Sequence, residues 1–186
     1  MIILLNGPPK SGKDTAAEFV VKHVNRTTHY KLSRPLKQAV HRIFDISGEM
    51  VKHFEANKEA ISPHLLGTSY RKAQIDVFHM LESEFGGDVL ARLFIRYLKK
   101  NDASKHIVVS DCGRTPEAQA LVSHFGRDKV AIIGLYRPDC SFEGDIREYV
   151  KTNCERHATI DNEFDLDIFE EQVKRQMKRW RLVDGD

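Results

Sequence analysis

Residues 7–15 read Gly-Pro-Pro-Lys-Ser-Gly-Lys-Asp-Thr and follow directly on the apolar run Ile2-Ile3-Leu4-Leu5. A short buried strand, a glycine-rich turn and a helix, in that order, leave few folds open. The pattern G-x-x-x-x-G-K is filled by Gly7, Gly12 and Lys13. Glycine lets the backbone curl until successive N–H groups point at one anion. A helix starting near Asp14 adds the positive end of its dipole at the same point. Gly7, Lys10, Ser11, Gly12, Lys13, Asp14 and Thr15 are therefore the candidate phosphate contacts, with Lys13 as a mobile point charge for the terminal phosphates. The plain alternative is a strand-to-helix turn that binds nothing.

The residue after the lysine of such a loop is usually Ser or Thr, whose hydroxyl binds Mg²⁺. Here it is Asp14, with Thr15 next. A carboxylate is also a hard-cation ligand, directly or through water, so Asp14 is a candidate metal ligand. The Thr15 hydroxyl is an alternative contact for a phosphate or the metal shell. Asp14 would equally serve as a cap at the helix N-terminus.

The 186 residues are enough for one domain with a real core. A net charge of +2, from 29 basic and 27 acidic residues, is near balance. A protein devoted to holding duplex nucleic acid usually shows a basic excess, so no stable nucleic-acid binding is expected. No stretch approaches the ~18 apolar residues of a membrane span, and the N-terminal run has neither the length nor the basic flank of a signal peptide. Cys112, Cys140 and Cys154 are odd in number and widely spaced, which suggests free thiols in a reducing cytoplasm.

Strand and helix signals alternate along the chain. Strands are expected at 2–6, 29–32, 106–110, 129–135 and 157–160. The helix after the loop carries Ala16, Phe19, Val20 and Val24 on one face. Pro35 opens a helix with Leu36, Ala39, Val40, Ile43 and Phe44 at helical spacing. Residues 45–69 are polar, broken by Gly48, Pro63 and Gly67, and poor in periodicity, which suits a mobile binding region. Helices are expected over 71–84 and 88–99, and another from Thr115. A last helix has Leu166, Phe169, Val173, Met177 and Trp180 on one face, read as core. Residues 137–156 are charge-rich and form a candidate lid. The alternation predicts a doubly wound α/β fold with a five-stranded parallel sheet.

In such a sheet ligands bind at the carboxyl ends of the strands. The segments just after the expected strands are the loop at 7–15, Ser33-Arg34, Asp111-Cys-Gly-Arg114, Tyr136-Arg137 and Asp161-Asn162. One edge thus collects a phosphate loop, an acid and three arginines.

Several of these segments together resemble the deoxynucleoside monophosphate kinases of tailed phages, within the nucleoside-monophosphate-kinase class of phosphate-loop (P-loop NTPase) proteins. They also resemble animal phosphomevalonate kinases. The matching pieces, in family order, are Ser11-Gly-Lys-Asp-Thr15, Ser33-Arg-Pro-Leu-Lys37, Tyr70-Arg71, Glu82-Ser-Glu-Phe-Gly-Gly87, Val108-Val-Ser-Asp-Cys-Gly-Arg114 with Glu117, Arg137-Pro138 and Thr159-Ile-Asp-Asn162. Gly113 stands where the phage family often has its arginine, and Arg114 comes one residue later, as in the phosphomevalonate-kinase version.

The resemblance implies a three-layer αβα domain over 1–186, with an acceptor-binding insertion at about 34–88 and the lid at about 137–156. It implies ATP and Mg²⁺, with a nucleoside monophosphate as the second substrate. Its activity would be transfer of the γ-phosphoryl of ATP to that monophosphate in the cytoplasm, a host's if the chain is phage-encoded. Either a monomer or a homodimer is compatible with it. Lys13 and the loop amides would hold the ATP phosphates, and Asp111 would orient Mg²⁺ or its water, unless it is a turn or cap aspartate. Arg34, Lys37, Arg71 and Arg114 would bind the acceptor, with surface salt bridges as the alternative for the arginines. Arg137 and Arg147 would close onto the transferring group, and Asn162 would lie near adenine or simply shape a turn. An acceptor phosphate, with a second pKa near ~6, is already mostly ionised at neutral pH, so no catalytic base is needed. Three other readings stay open: a kinase for another phosphorylated small molecule, a kinase for a modified base in DNA, and a nucleotide-binding switch without transfer chemistry.

Overall fold

The computed structural model describes residues 1–101, 105–163 and 165–183, with only the backbone of 100 and 101. The chain divides into two compact units, residues 1–32 with 94–186, and residues 33–93.

The first unit is built on five parallel strands: β1 (Ile2–Asn6), β2 (Thr27–Tyr30), β5 (His106–Val109), β6 (Val130–Tyr136) and β7 (Arg156–Asp161). Their order is β2-β5-β1-β6-β7. The parallel sheet expected from the alternation is present, and the strand before Asp111 does lie beside β1, with Leu4 aligned to Val109 on one side and to Ile132 on the other. β1, β5 and most of β6 are buried on both faces, which is why they read as unbroken apolar runs.

The order places β1 at the reversal point. From β1 the chain moves two strands one way to β2, and from β5 two strands the other way to β6. Right-handed crossovers then put the intervening helices, α1 (Lys13–His23) and α6 (Thr115–Phe125), on opposite faces. Helix α7 (Leu166–Arg179) shares the α1 face. There Ile3, Leu5, Val108, Ile133 and Leu135 pack against Ala16, Phe19 and Val20 of α1 and Phe169, Val173 and Met177 of α7. Leu166, read as part of that stripe, is instead exposed, because it begins the helix beyond the sheet edge. The carboxyl end of β1 is thus the topological switch point, where a ligand crevice forms.

Strand β2 ends two residues before the 29–32 expected. The Leu32 N–H leaves the ladder and donates to Asp111 Oδ1 at 2.7 Å. Helix α5 (Val89–Asn101) leads out of the second unit into the first, where Phe94 and Tyr97 stack on Tyr30.

The second unit contains α2 (Arg34–Ile43), α3 (Glu49–Ala56), the two-residue strands β3 (Ile61–Ser62) and β4 (Thr68–Ser69) as an antiparallel pair, and α4 (Tyr70–Phe85). A short 3₁₀ turn, Pro63–Leu65, connects the hairpin strands. Residues 45–69 are therefore more regular than their sequence suggests. Their order rests on a few anchors, since Ile46, Phe54 and Leu65 fill one core with Val40, Tyr70 and Ala73. Three apolar residues spread over twenty positions leave no visible period. Among the described residues no helix is long and apolar enough to cross a membrane.

Phe169 is 1% exposed and meets Phe19 edge-on, with ring centroids 5.8 Å apart. Phe169→Ala is expected to lower the unfolding free energy by about 3–5 kcal/mol through lost burial and the cavity left behind. The measurement is a urea midpoint at unchanged slope. A midpoint equal to the parent's would mean that α7 does not close the core.

Candidate phosphate site at the end of the central strand

The loop after β1 has the backbone its sequence requires. Gly12 sits at φ 95°, in the left-handed region, immediately before α1. A Cβ there would stand 2.4 Å from Asn162 Nδ2 and 3.3 Å from the Phe169 ring, so both conformation and space demand glycine. Gly7 is constrained by space alone, since a Cβ would lie 2.6 Å from the Leu135 carbonyl oxygen. Lys10 also has a positive φ, at 64°, and closes the turn.

Lys13 folds back over this loop. Its ammonium donates to the carbonyl oxygens of Gly7 at 2.7 Å and Pro8 at 2.5 Å. Burial, then the neighbouring Arg147 guanidinium, pulls the Lys13 pKa down from 10.5 to about 8, while Asp14, Asp145 and Asp111 act in the opposite sense. Lys13, Arg147 and these three carboxylates therefore form one electrostatic cluster. Arg137 joins it at the loop's outer side, its Nη1 donating to the Lys10 carbonyl at 3.3 Å. Ser11 is fully buried within the loop, and Thr15 is partly buried in the first turn of α1.

Asp14 does not cap the helix. Gly12 holds the cap position, without a side-chain bond. The carboxylate of Asp14 instead accepts from Ser110 Oγ at 2.6 Å and pairs with Lys31 Nζ at 2.7 Å. Burial pushes its pKa up, but the hydrogen bonds from Lys31 and Ser110 outweigh that and hold it below the ordinary value. Asp111 uses Oδ1 to close the end of β2 on the Leu32 N–H. Its turn-cap reading is thus realised at one oxygen.

Arg147 is held from both sides. Its Nε donates to Asp145 Oδ1 at 2.8 Å, and Nη2 pairs with Asp145 Oδ2. Its aliphatic stem lies over Gly113, where a Cβ would be 2.6 Å from Arg147 Cγ. The segment around it is strapped down. Glu148 N donates to the Gly113 carbonyl at 2.8 Å, Val150 N to Asn6 Oδ1 at 2.9 Å, and Lys151 N to Thr115 Oγ1 at 3.2 Å. Exposed positions run through the whole 137–156 stretch, and within 138–144 only Cys140 and Phe142 are partly buried.

Asn162 is buried, and its amide donates to the Ser11 carbonyl at 3.0 Å, so its side chain supports the loop. Arg114 is the residue before α6 and is partly buried.

The remaining sequence-derived candidates belong to the second unit. Lys37 pairs with Glu55 at 2.6 Å, and Arg71 pairs with Glu59. Arg34 is exposed at the start of α2. The salt-bridge alternative therefore describes Arg71 as it stands.

Four contributors escaped the sequence reading: Asn6, Lys31, Ser110 and Asp145. Ser110 was visible only as a neighbour of Asp111 in the Ser-Asp segment. The others carry no local signal.

No protein-family model matches the chain, and no curated protein matches it significantly. Among solved structures, it is similar to an unliganded sugar kinase from Janibacter sp. HTCC2649. The two are 12% identical, the alignment covers 99% of this chain and 98% of the other, and the TM-score is 0.48.

The lowered Lys13 value gives a test that needs no substrate. Below about 8 the side chain is charged, and above that it becomes neutral. Affinity for inorganic tripolyphosphate, followed by calorimetry, is expected to fall as pH rises through about 8, and Lys13→Met should abolish that decline. A decline that persists in the variant would assign the titration to another group.

Proposed function

We propose that this chain transfers the γ-phosphoryl group of ATP to the phosphate of a (deoxy)nucleoside 5′-monophosphate, forming the diphosphate and so supplying DNA precursors. The observation that carries the reading is a glycine-curled loop at the switch point of a parallel sheet, bonded by Lys13 and Arg137, with Arg147 close enough to shift the Lys13 ammonium. A phosphoryl group in flight spreads negative charge over its oxygens, and three positioned cations answer that charge. The resemblance to phage monophosphate kinases supplies the acceptor class.

The loop amides and Lys13 bind the donor phosphates once the ammonium exchanges the Gly7 and Pro8 carbonyls for phosphate oxygens. Arg147, held by Asp145 and laid over Gly113, supplies fixed charge at the transferring group. Arg137 approaches from the loop's outer side, and residues 138–144 close as a lid that excludes water. The resemblance to the monophosphate kinases assigns acceptor binding to Arg34, Lys37, Arg71 and Arg114. Exposed ion pairs such as Arg71–Glu59 are worth only about 0–1 kcal/mol, so a phosphate forming charge-assisted bonds readily displaces the glutamate.

The donor set around Asp14, an exposed anionic oxygen beside the phosphate loop, suits a hard divalent cation. Asp14 and Asp111 would hold it, and when bound it would supply charge neutralisation to the phosphates. Metal ligation of this kind leaves most positions to phosphates and water, which is consistent with finding no cluster of three protein ligands among the described residues.

The discriminating assay is ADP release from ATP·Mg²⁺ with ribo- and deoxynucleoside monophosphates, mevalonate phosphate and DNA as acceptors. Turnover confined to monophosphate nucleotides is expected. Activity with mevalonate phosphate alone would replace the acceptor, and no turnover with any acceptor would leave a nucleotide-binding switch. Lys13→Ala should lower kcat on the order of 10²-fold or more, as removal of one strong transition-state contact does. Near-parental turnover in a folded Lys13→Ala protein would remove Lys13 from the mechanism.

Gly113→Ala tests Arg147 without touching a charge. The added methyl collides with the Arg147 stem and must displace it. Turnover is expected to fall about 10²-fold, the cost of misplacing a catalytic group by roughly 1 Å, with ATP binding retained. Unchanged kcat would mean that Arg147 can be displaced without consequence.

A further inference from the structure

In phosphate-loop enzymes the hydroxyl sits on the loop, after the lysine, and the carboxylate comes from a strand end. This chain has a carboxylate and a hydroxyl in contact at the same place, but on the opposite elements. Asp14 follows the loop lysine. Ser110 follows Val109, which is aligned with Leu4 of β1, so its side chain arises next to the loop. The two meet at 2.6 Å, with Ser110 Oγ donating to Asp14 Oδ1.

The surroundings fix the direction of that bond. An ionised carboxylate only accepts, so the single hydroxyl proton of Ser110 goes to Asp14. Ser110 Oγ is also 2.7 Å from His29 Nε2, and with its own proton committed it must accept there. His29 therefore carries its proton on Nε2. Ser110 is 1% exposed, so its hydroxyl has no water to turn toward. Asp111, the carboxylate usually sought at a strand end, has one oxygen turned away to the Leu32 N–H. Asp14 itself is 60% exposed at its side chain, and its other oxygen faces the Lys31 ammonium at 2.7 Å. A cation thus already stands beside Asp14, in a half-exposed pair that is cheap to open.

We propose that the loop hydroxyl and strand carboxylate of phosphate-loop kinases are exchanged here: Asp14 is the metal-facing ligand, and Ser110, steadied by His29, is the positioning residue that aims it. This deepens the kinase reading above and rests on it. Lys31 holds the place of positive charge beside Asp14 until a divalent ion arrives.

The test uses Mn²⁺ as the probe, titrated into the full chain with ADP and followed by loss of the free-ion paramagnetic resonance signal. ADP affinity without metal is measured in parallel. Asp14→Ser leaves two hydroxyls facing each other, and Ser110→Asp sets two carboxylates in contact. Asp14→Ser is expected to weaken Mn²⁺ retention by about 10-fold or more, as loss of a metal-facing carboxylate does. The double variant Asp14→Ser/Ser110→Asp restores the pair in the ordinary arrangement, and its Mn²⁺ affinity should return to within about threefold of the parent, a strong coupling in the double-mutant cycle. Circular dichroism checks each fold.

Because Ser110 is buried, Ser110→Ala and Ser110→Thr provide a gentler pair. Ala should weaken Mn²⁺ retention about 10-fold and Thr should restore it, with metal-free ADP affinity unchanged in both. Parental Mn²⁺ affinity in Asp14→Ser or Ser110→Ala overturns the exchange while leaving the kinase reading intact. A folded double variant no better than the weaker single also overturns it. Failure of the parent to bind ADP at all overturns both.

Discussion

Asn6 is the last residue of the central strand and is 2% exposed. Its side-chain amide makes three bonds to backbone far away in sequence. Nδ2 donates to the carbonyls of Cys112 at 3.0 Å and Glu148 at 2.9 Å, and Oδ1 accepts from Val150 N at 2.9 Å. The phosphate loop begins at the next residue. One buried side chain therefore ties the loop, the turn after β5 and the crossover between β6 and β7 to a common point. Each such bond contributes only about 1 kcal/mol net, but a buried partner left unsatisfied costs about 1–3 kcal/mol. The three segments are thus coupled more tightly than their individual contacts suggest. Arg147 depends on this coupling, since it lies between Glu148 and the Asp145 that holds it.

The crossover carrying Arg147 is unusual in what it lacks. Parallel neighbours such as β6 and β7 are normally joined through a helix. Here residues 137–155 contain no helix or strand. Side-chain and backbone bonds to Asn6, Gly113, Thr115 and Arg127 do the work that helix packing would otherwise do. Tyr149 stacks on Tyr136 with centroids 4.5 Å apart and donates to the Leu135 carbonyl. A coil fixed at its second half can leave residues 138–144 free to respond to ligand while the cation stays placed.

Local signals in the sequence carried most of the fold and one half of the site. β1, β5 and β6 announce themselves because a strand buried on both faces must be apolar throughout. The phosphate loop is legible for a similar reason: its glycines, lysine and helix start lie within nine residues. The edge of β2 was less legible, because Leu32 looks like a strand residue until the Asp111 carboxylate takes its N–H. The 45–69 region hid a helix and a hairpin because Phe54 and Leu65 anchor it singly. The other half of the site was illegible because its bonds span the chain. Asn162 reaches Ser11, Ser110 reaches Asp14, and Val150 reaches Asn6, and no spacing rule links such partners. Asn162 shows the result, since a residue after the last strand reads as a base contact when only the fold shows its amide bonded to the loop.

Internal ion pairing explains how a chain of net charge +2 could present the proposed phosphate site. Each candidate cation with a resolved ion pair has its own carboxylate within the same unit: Arg147 with Asp145, Lys37 with Glu55, Arg71 with Glu59. The ligand-free chain neutralises its binding charges internally. These pairs are not equivalent. Arg71–Glu59 is well exposed, with side-chain accessibilities of 47% and 71%, so water screens it and its loss costs little. Arg147–Asp145 is at 25% and 16%, and breaking it would strand a charge in a drier place. On the proposed function, an incoming phosphate would take Arg71 away from Glu59 but add to Arg147 without separating it from Asp145. That asymmetry would sort the cations into an exchangeable one that binds and a fixed one that positions. Phosphoryl transfer needs both kinds, because binding energy must be released gradually while the charge at the reacting group stays preorganised.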